Sequence, residues 1–520
     1  MPDMLQRLDT RSFLLIVGLY VLLHFGLRLV FSPVLGTDDV EQAICAQSLA
    51  LGCDLRQPPL YTWLQWLTNQ IAGPGLAGIY LLKYGLLFLT YLCLYFIGRR
   101  LFSRTATAAL AALSLWLTYP FAVSVHQGVT HSLLLSLLLA ASFLAFLRLE
   151  AHRHWMGYLL LGTLLGLGEL AKYSFVLYAA ALALAALSLP RYRTVLLDRR
   201  IVLTLAAGLL VVAPHGLWAW GRLDALHGAL AGLGQQAAPS AYLPRVASGL
   251  TSLASALIQF LFPLWLILLL AFPRAFRPLA AAPVSPTPAL SQRERRTMAR
   301  YASVMPNEPL HLIGRTLLIG ILLLALVVLL GGPVEIKARW MHVLLLLAPL
   351  WLFGRVEAAY GDRVAKTGYL VALLLLPALV IAAWAAQTYL APQWHKPTRF
   401  HAPYDQLASL IRQTSGFERG TIVANELHLA GNLRLFFPEA RVVTPAYPQY
   451  LPPAIEAEQC LLVWEEQNDA GMPPALQAFL DRHGKPRATG SPVLARANYR
   501  YSETEILAVG YLVLPAGDCP

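Results

Sequence analysis

Runs of apolar residues of bilayer length recur along the first three quarters of the chain, separated by short breaks rich in Arg, Pro and Gly. A hydrocarbon core about 30 Å thick needs roughly 20 such residues in helical form. The pattern predicts eleven spans, at 13–31, 76–98, 106–121, 131–147, 156–171, 174–190, 201–220, 251–271, 316–331, 341–354 and 367–390. A few are short, which predicts tilt or burial among neighbours. After residue 390 the pattern changes. Short β-branched or apolar runs at 421–424, 441–444, 461–464 and 505–514 alternate with helical periodicity at 403–414, 426–436 and 473–483, as in a small α/β layer structure. The expected fold class is an all-α polytopic membrane bundle over 1–390, with a first external loop at 32–75 and a cytoplasmic linker at 272–315, followed by a small extracytoplasmic α/β domain over 391–520.

Composition strengthens the membrane reading and charge orients it. The 520 residues are 57% hydrophobic and 13% charged, with mean hydropathy +0.56, which excludes an ordinary soluble domain of this size. With the N-terminus placed in the cytoplasm and the spans alternating, 21 Lys and Arg fall at one face, including Arg99, Arg100, Arg104, Arg191, Arg355 and the seven from Arg274 to Arg315. Within residues 1–390, the other face and the lipid-buried positions hold eight: Arg28, Arg56, Lys83, Lys172, Arg222, Arg245, Lys337 and Arg339. That asymmetry follows the positive-inside rule and sets residues 391–520 outside a bacterial inner membrane. The net charge of +12 is thus a topology signal rather than a nucleic-acid surface, since the basic residues form no interleaved aromatic patch. The first apolar run lacks a small-residue cleavage site and reads as a retained anchor. Pro273–Arg300 reads as a flexible linker with a basic membrane-facing end, and the Gly- and Ala-rich loop 221–250 suggests no role of its own.

The first external loop carries the most unusual chemistry. Gly36-Thr37-Asp38-Asp39-Val40-Glu41-Gln42 places three carboxylates just outside the hydrocarbon, before a helical pattern over 40–51. Asp38 with Glu41 three positions on has the spacing of a capping box, but Asp39 adds a carboxylate beside a bilayer, costly unless paired or used. Next, Gln57-Pro58-Pro59 opens a second helix on which Leu60, Trp63, Leu64, Leu67 and Ile71 share one face, the pattern of a helix lying in the membrane interface. Helical geometry over 40–51 would set Cys45 and Cys53 about 12 Å apart along the axis, out of bridging reach. Cys460 and Cys519 share the exported region and are candidates to pair. His395, His401 and Asp405 have no metal-ligand spacing.

In order along the chain, the strings DDVEQ, QPPLYTWLQW, LLKYGLLFLTYL, THSLLL, ELAKYSF and KARWM, with a weaker echo in AGNLRLFFPEARVVTP, resemble the GT-C class of bacterial integral-membrane glycosyltransferases related to protein O-mannosyltransferases and lipid A aminoarabinose transferases. Within it they look most like lipid A and core galacturonosyltransferases. The resemblance implies transfer of a sugar from a polyprenyl-phosphate donor to a lipid or glycolipid acceptor on the periplasmic side, without a metal or other cofactor. It casts Asp38 and Asp39 as the catalytic pair, with Asp38 as the carboxylate that takes the acceptor's proton. It casts Glu41, Gln57, Lys83, His131, Lys172 and Arg339 as substrate-binding residues, the cations meeting charge that develops on the leaving phosphate. Two positions depart from the family pattern. Gln57 stands where the aminoarabinose transferases carry Lys, and Gly128 where many relatives carry an acid. Bland alternatives exist for several of these residues: Lys83 snorkelling to headgroups, Lys172 and Arg339 anchoring helix ends, and His126 and His131 as satisfied structural histidines.

Three other readings compete. A lipid flippase or transporter would be expected to show repeated halves with broken helices, and no internal repeat is visible. A protein O-glycosyltransferase of the same fold differs only in its acceptor. An inactive envelope scaffold has Gly128 as its one hint.

Overall fold

The computed structural model describes residues 8–222, 241–277, 308–361, 363–456, 459–466 and 471–520. The greater part of the 272–315 linker and part of the 221–250 loop lie outside these. In chain order the helices are α1 (Thr10–Phe31), α2 (Thr37–Cys45), α3 (Leu60–Ala72), α4 (Leu76–Leu101), α5 (Thr105–Leu113), α6 (His131–Ala151), α7 (Trp155–Ala171), α8 (Phe175–Leu187), α9 (Ile201–Trp220), α10 (Tyr242–Leu261), α11 (Leu264–Ala271), α12 (Glu308–Leu329), α13 (Ala348–Tyr360), α14 (Thr367–Leu390), α15 (Tyr404–Ser415), α16 (Leu427–Phe436) and α17 (Pro474–Arg482).

Among the described residues, six helices (α1, α4, α6, α9, α12 and α14) are long and apolar enough to cross a bilayer. Ala338–Leu345 with α13 makes a seventh if the pair, bent by 59°, is one span. Thr105–Leu117, α7 and α8 are apolar but shorter. The predicted span at 251–271 is two helices instead of one, broken between Leu261 and Leu264, where Pro263 has no N–H to carry the ladder forward. Outward-facing leucines such as Leu15, Leu209 and Leu322 remain exposed, as expected of lipid-facing positions. Inside the bundle, small residues let backbones touch: a Cβ on Gly166 would meet the Gly208 carbonyl oxygen at 2.8 Å, so α7 and α9 cross in close contact.

The C-terminal segment holds a five-stranded sheet in the order β2 (Arg441–Val443), β1 (Thr421–Ala424), β3 (Gln459–Glu465), β5 (Ile506–Pro515), β4 (Val493–Asn498). β1 pairs in parallel with β2 and β3, and β5 runs antiparallel to both β3 and β4. Every residue of β1 is buried, as a strand with both faces covered requires. The β1–α16–β2 crossover makes α16 one of those covers. β4 was not visible in the sequence because only the small side chains of Ala495 and Ala497 are buried along this edge strand, between exposed Arg496 and Asn498.

Two disulfides are formed. Cys460–Cys519 (Cα–Cα 5.6 Å) ties β3 to the chain's last residues. Cys45–Cys53 (Cα–Cα 5.7 Å) overturns the expectation that these two lie too far apart. α2 stops at Cys45 instead of running to residue 51, and the chain then turns back on itself.

Candidate functional site

The site is built around α2, and its first residues explain why the helix begins there. Gly36, not Asp38, is the N-cap, and no side chain caps the helix; the capping-box reading of Asp38 and Glu41 is therefore corrected. The reason lies in the neighbouring turn. A Cβ on Gly36 would sit 2.3 Å from the Gln127 carbonyl oxygen, and one on Gly128 would lie 3.1 Å from the Thr37 amide nitrogen. Gly128 also has φ +141°, a conformation costly for any other residue. The departure at Gly128 thus has a geometric cause: the turn at 127–128 lies directly over the start of α2. Asp38 and Asp39 then fall in the first helical turn, where the helix dipole favours negative charge.

The two aspartates have separate surroundings. Asp39 is fully buried; its Oδ1 accepts from Lys83 Nζ of α4, and its Oδ2 accepts from the Tyr80 hydroxyl at 3.1 Å. Asp39, expected as a second catalytic group, is thus paired with Lys83 and Tyr80. Asp38 is half-buried and stands in the fields of Lys83, Arg339 and Lys172. Burial, with repulsion from Asp39, raises its pKa above the usual carboxylate range, and the three cations oppose that rise. Lys172, in the turn between α7 and α8, donates to Ser132 Oγ at 2.7 Å. Burial brings its pKa down to about 8, with Asp38 acting upward and Arg339 downward. Arg339 is exposed, in the short turn Ala338–Met341. Glu41, half-buried one turn after Asp38, has a pKa raised to about 8 by burial and by Asp38 and Asp54, against Arg56.

Beneath the carboxylates runs a polar brace that the sequence did not suggest. Thr62 Oγ1 donates to Gln42 Oε1 (2.9 Å), and Gln42 Nε2 donates to His131 Nε2 (3.1 Å). That leaves His131 Nδ1–H to donate to the Ala171 carbonyl at 3.2 Å. Both ring nitrogens are therefore engaged and the ring is buried. His126 is likewise held, by the hydroxyls of Tyr20 and Tyr84. Gln57 Oε1 is buried with no hydrogen-bond partner among the described residues. Arg28, noted in the sequence only for topology, is buried. It donates to the Ser32 carbonyl (2.8 Å) and the Val34 carbonyl and stacks over Tyr80 at 4.5 Å, fixing the turn that delivers α2.

The C-terminal segment grips α2 from the other side. A Cβ on Gly431 of α16 would lie 2.5 Å from Val40 Cβ. Asn432 Oδ1 accepts from the Leu35 amide (2.9 Å), and Arg399 donates to Thr37 Oγ1. The Gln47 side chain pairs with both backbone groups of Val442 at 2.8 Å, completing the open edge of β2. α3 lies alongside, with Leu67 and Ile71 facing outward, as an interfacial helix would place them. His395, His401 and Asp405 have separate uses: His395 meets Thr504, His401 meets the Thr388 carbonyl, and Asp405 pairs with Arg500. The described residues contain no group of three or more side chains able to hold a metal.

Comparison with known proteins gives concordant findings. The dolichyl-phosphate-mannose-protein mannosyltransferase family matches residues 56–218. The chain is 28% identical to the lipopolysaccharide core galacturonosyltransferase RgtB of Rhizobium johnstonii over 482 residues, covering 91% of this chain and 92% of that protein. It is 28% identical to RgtA of the same organism over 479 residues, covering 90% and 91%. Among solved structures, ArnT from Cupriavidus metallidurans bound to undecaprenyl phosphate aligns with 96% of this chain and 98% of its own, at TM-score 0.49 and 15% identity. The ordered motifs and the curated relatives agree: residues 56–218 match the dolichyl-phosphate-mannose-protein mannosyltransferase family, and over at least 90% of its length the chain is similar to lipopolysaccharide core galacturonosyltransferases.

Proposed function

We propose that this protein transfers a sugar, of the galacturonic acid type, from a polyprenyl-phosphate donor to lipid A or the lipopolysaccharide core at the periplasmic face of a bacterial inner membrane. The observation that carries the reading is the meeting of Asp38, from the first loop, with Lys172 and Arg339, which lie far along the chain, around one half-buried carboxylate. In this reaction the acceptor hydroxyl oxygen bonds to the anomeric carbon while its proton passes to Asp38. The bond from that carbon to the phosphate oxygen breaks, and its electron pair leaves on the lipid phosphate. A raised pKa brings Asp38 nearer to working pH, where a general base is most effective. Lys172 and Arg339 stand ready for the charge the leaving phosphate gains. Lys83 acts one step back, holding Asp39. The names of the curated relatives support a lipopolysaccharide acceptor and a galacturonosyl donor. The charge asymmetry supports eleven crossings with residues 391–520 as a periplasmic domain.

The test is transfer by the purified protein in vesicles, from a polyprenyl-phosphate sugar to lipid A or core acceptor, read as added mass. Asp38→Asn is expected to lower turnover by about 100-fold or more while expression and thermal stability stay level. Turnover unchanged in that variant would remove Asp38 as the base. A wild type that modifies only peptide acceptors would reassign the substrate.

A further inference from the structure

On the face of the bundle opposite the site lies a cavity of about 1110 Å³, set among Leu101–Ser103 after α4, the first half of α12, Leu345 and α13. Its two ends differ in chemistry. Leu261, Leu317, Leu318, Ile321 and Leu345 line one end, while His311, Arg315, Trp351 and Arg355 line the other. From Leu310 to Ile321 it follows α12 for about 16 Å at 1.5 Å per residue, close to the roughly 15 Å depth of one leaflet. Tryptophan and arginine at one end with only aliphatic side chains at the other is the ordering of a bilayer from headgroup level inward.

The polar end has unspent donors. Arg355 Nε donates to the Ala275 carbonyl (3.0 Å) and its guanidinium sits over Trp351 at 5.6 Å, leaving its terminal nitrogens without a partner among the described residues. Arg315 uses Nη1 on Ser188, and its Nη2 has no partner among the described residues. The acid at this rim, Glu357, accepts from Ser103 Oγ at 3.1 Å. The walls are firm: a Cβ on Gly354 would lie 2.2 Å from Leu310 Cδ2, and one on Gly314 would lie 2.7 Å from Trp351 Nε1, so each of α12 and α13 packs a side chain directly on a glycine of the other beside the opening.

We propose that this cavity binds one anionic phospholipid of the leaflet on that face, its phosphate between Arg315 and Arg355 and an acyl chain along Leu317, Leu318 and Ile321. Charge complementarity selects an anionic headgroup over a zwitterionic one, and the aliphatic lining beyond the arginines selects a lipid over a soluble anion. The site is separate from the transfer chemistry and its test does not depend on it.

The full-length protein is reconstituted in vesicles of equimolar phosphatidylglycerol and phosphatidylethanolamine, re-extracted in mild detergent, and its retained lipid is counted by native mass spectrometry. Wild type is expected to retain phosphatidylglycerol over phosphatidylethanolamine by roughly tenfold or more, the order expected of two arginines at a surface. Arg315→Gln with Arg355→Gln should bring that ratio near parity. Leu318→Trp, which fills the apolar end and leaves the charges in place, should lower total retained lipid. Equal retention of the two lipids by wild type, an unchanged ratio in the arginine variant, or undiminished lipid in Leu318→Trp would each overturn the proposal.

Discussion

Asp38 and Asp39 are neighbours in sequence and differ in fate because of what faces each. Asp39 is sealed against Lys83 and Tyr80, so the pair is a buried ion pair whose breaking is costly. Lys83→Met should lose about 3–5 kcal/mol by leaving an uncompensated carboxylate, read by thermal unfolding in detergent. Adding Asp39→Asn to that variant should recover much of the loss; no recovery would mean the ion pair is not the cause. Glu41 adds a pH dependence. Its pKa is raised in the fold to about 8, so the stability linked to its neutral form is present at low pH and is lost as pH rises toward about 8. Wild type should therefore fall in stability relative to Glu41→Gln between pH near 5 and pH near 9, and a constant difference across that range would refute the burial of this carboxyl. Asp38, Lys172 and Arg339 stand out in the sequence as charge beside hydrocarbon, and the family resemblance singles out Asp38. Gln42 and Thr62 were not, since an amide and a hydroxyl in a polar loop carry no such contrast until His131 is seen to need them. Arg28 gave the same signal as Lys83, yet only the fold shows that it serves the turn before α2.

At the scale of elements, α2 is a nine-residue helix that cannot hold its own position by propensity alone. It is held by Gly128 above its start, the Gln42 brace beneath, and α16 on its outer side. The helices α15, α16 and α17 and four of the five strands were legible from periodicity, because this segment alternates apolar and polar residues in ordinary soluble fashion. The end of α2 was not legible, nor was the Cys45–Cys53 bridge, because both depend on the chain turning back under the grip of Gln47 and Tyr450, partners roughly 400 residues away by sequence separation. Gly431→Leu tests this seat. The new side chain would displace Val40 and with it Asp38, and a shift near 1 Å at a reacting group can cost about 100-fold in rate. Turnover should fall while substrate KM changes little and the Cys460–Cys519 bridge still forms. Unchanged turnover would show that α16 covers α2 without positioning it.

For the whole molecule, two independent features bear on which way the bundle faces. Within residues 1–390 the basic residues gather at one predicted face, and both disulfides, Cys45–Cys53 and Cys460–Cys519, fall in segments that the charge rule sets on the other. Disulfides persist in the bacterial periplasm and are rare in the cytoplasm, so sulfur chemistry supports the orientation proposed from charge, although neither depends on the other. That agreement was half visible beforehand: the charges were countable, whereas the Cys45–Cys53 bridge required the fold. It leads to a prediction for intact cells. After mild reduction, a membrane-impermeant maleimide should label the four bridged cysteines from outside, and Cys93, within α4, should remain unlabelled. A cysteine placed at Ser103, beyond the far end of α4, should react only once the membrane is opened. If Ser103→Cys is labelled in sealed cells while the bridged cysteines are not, the bundle is inverted, and Asp38 with its cations faces the cytoplasm, where a periplasmic acceptor could not reach them.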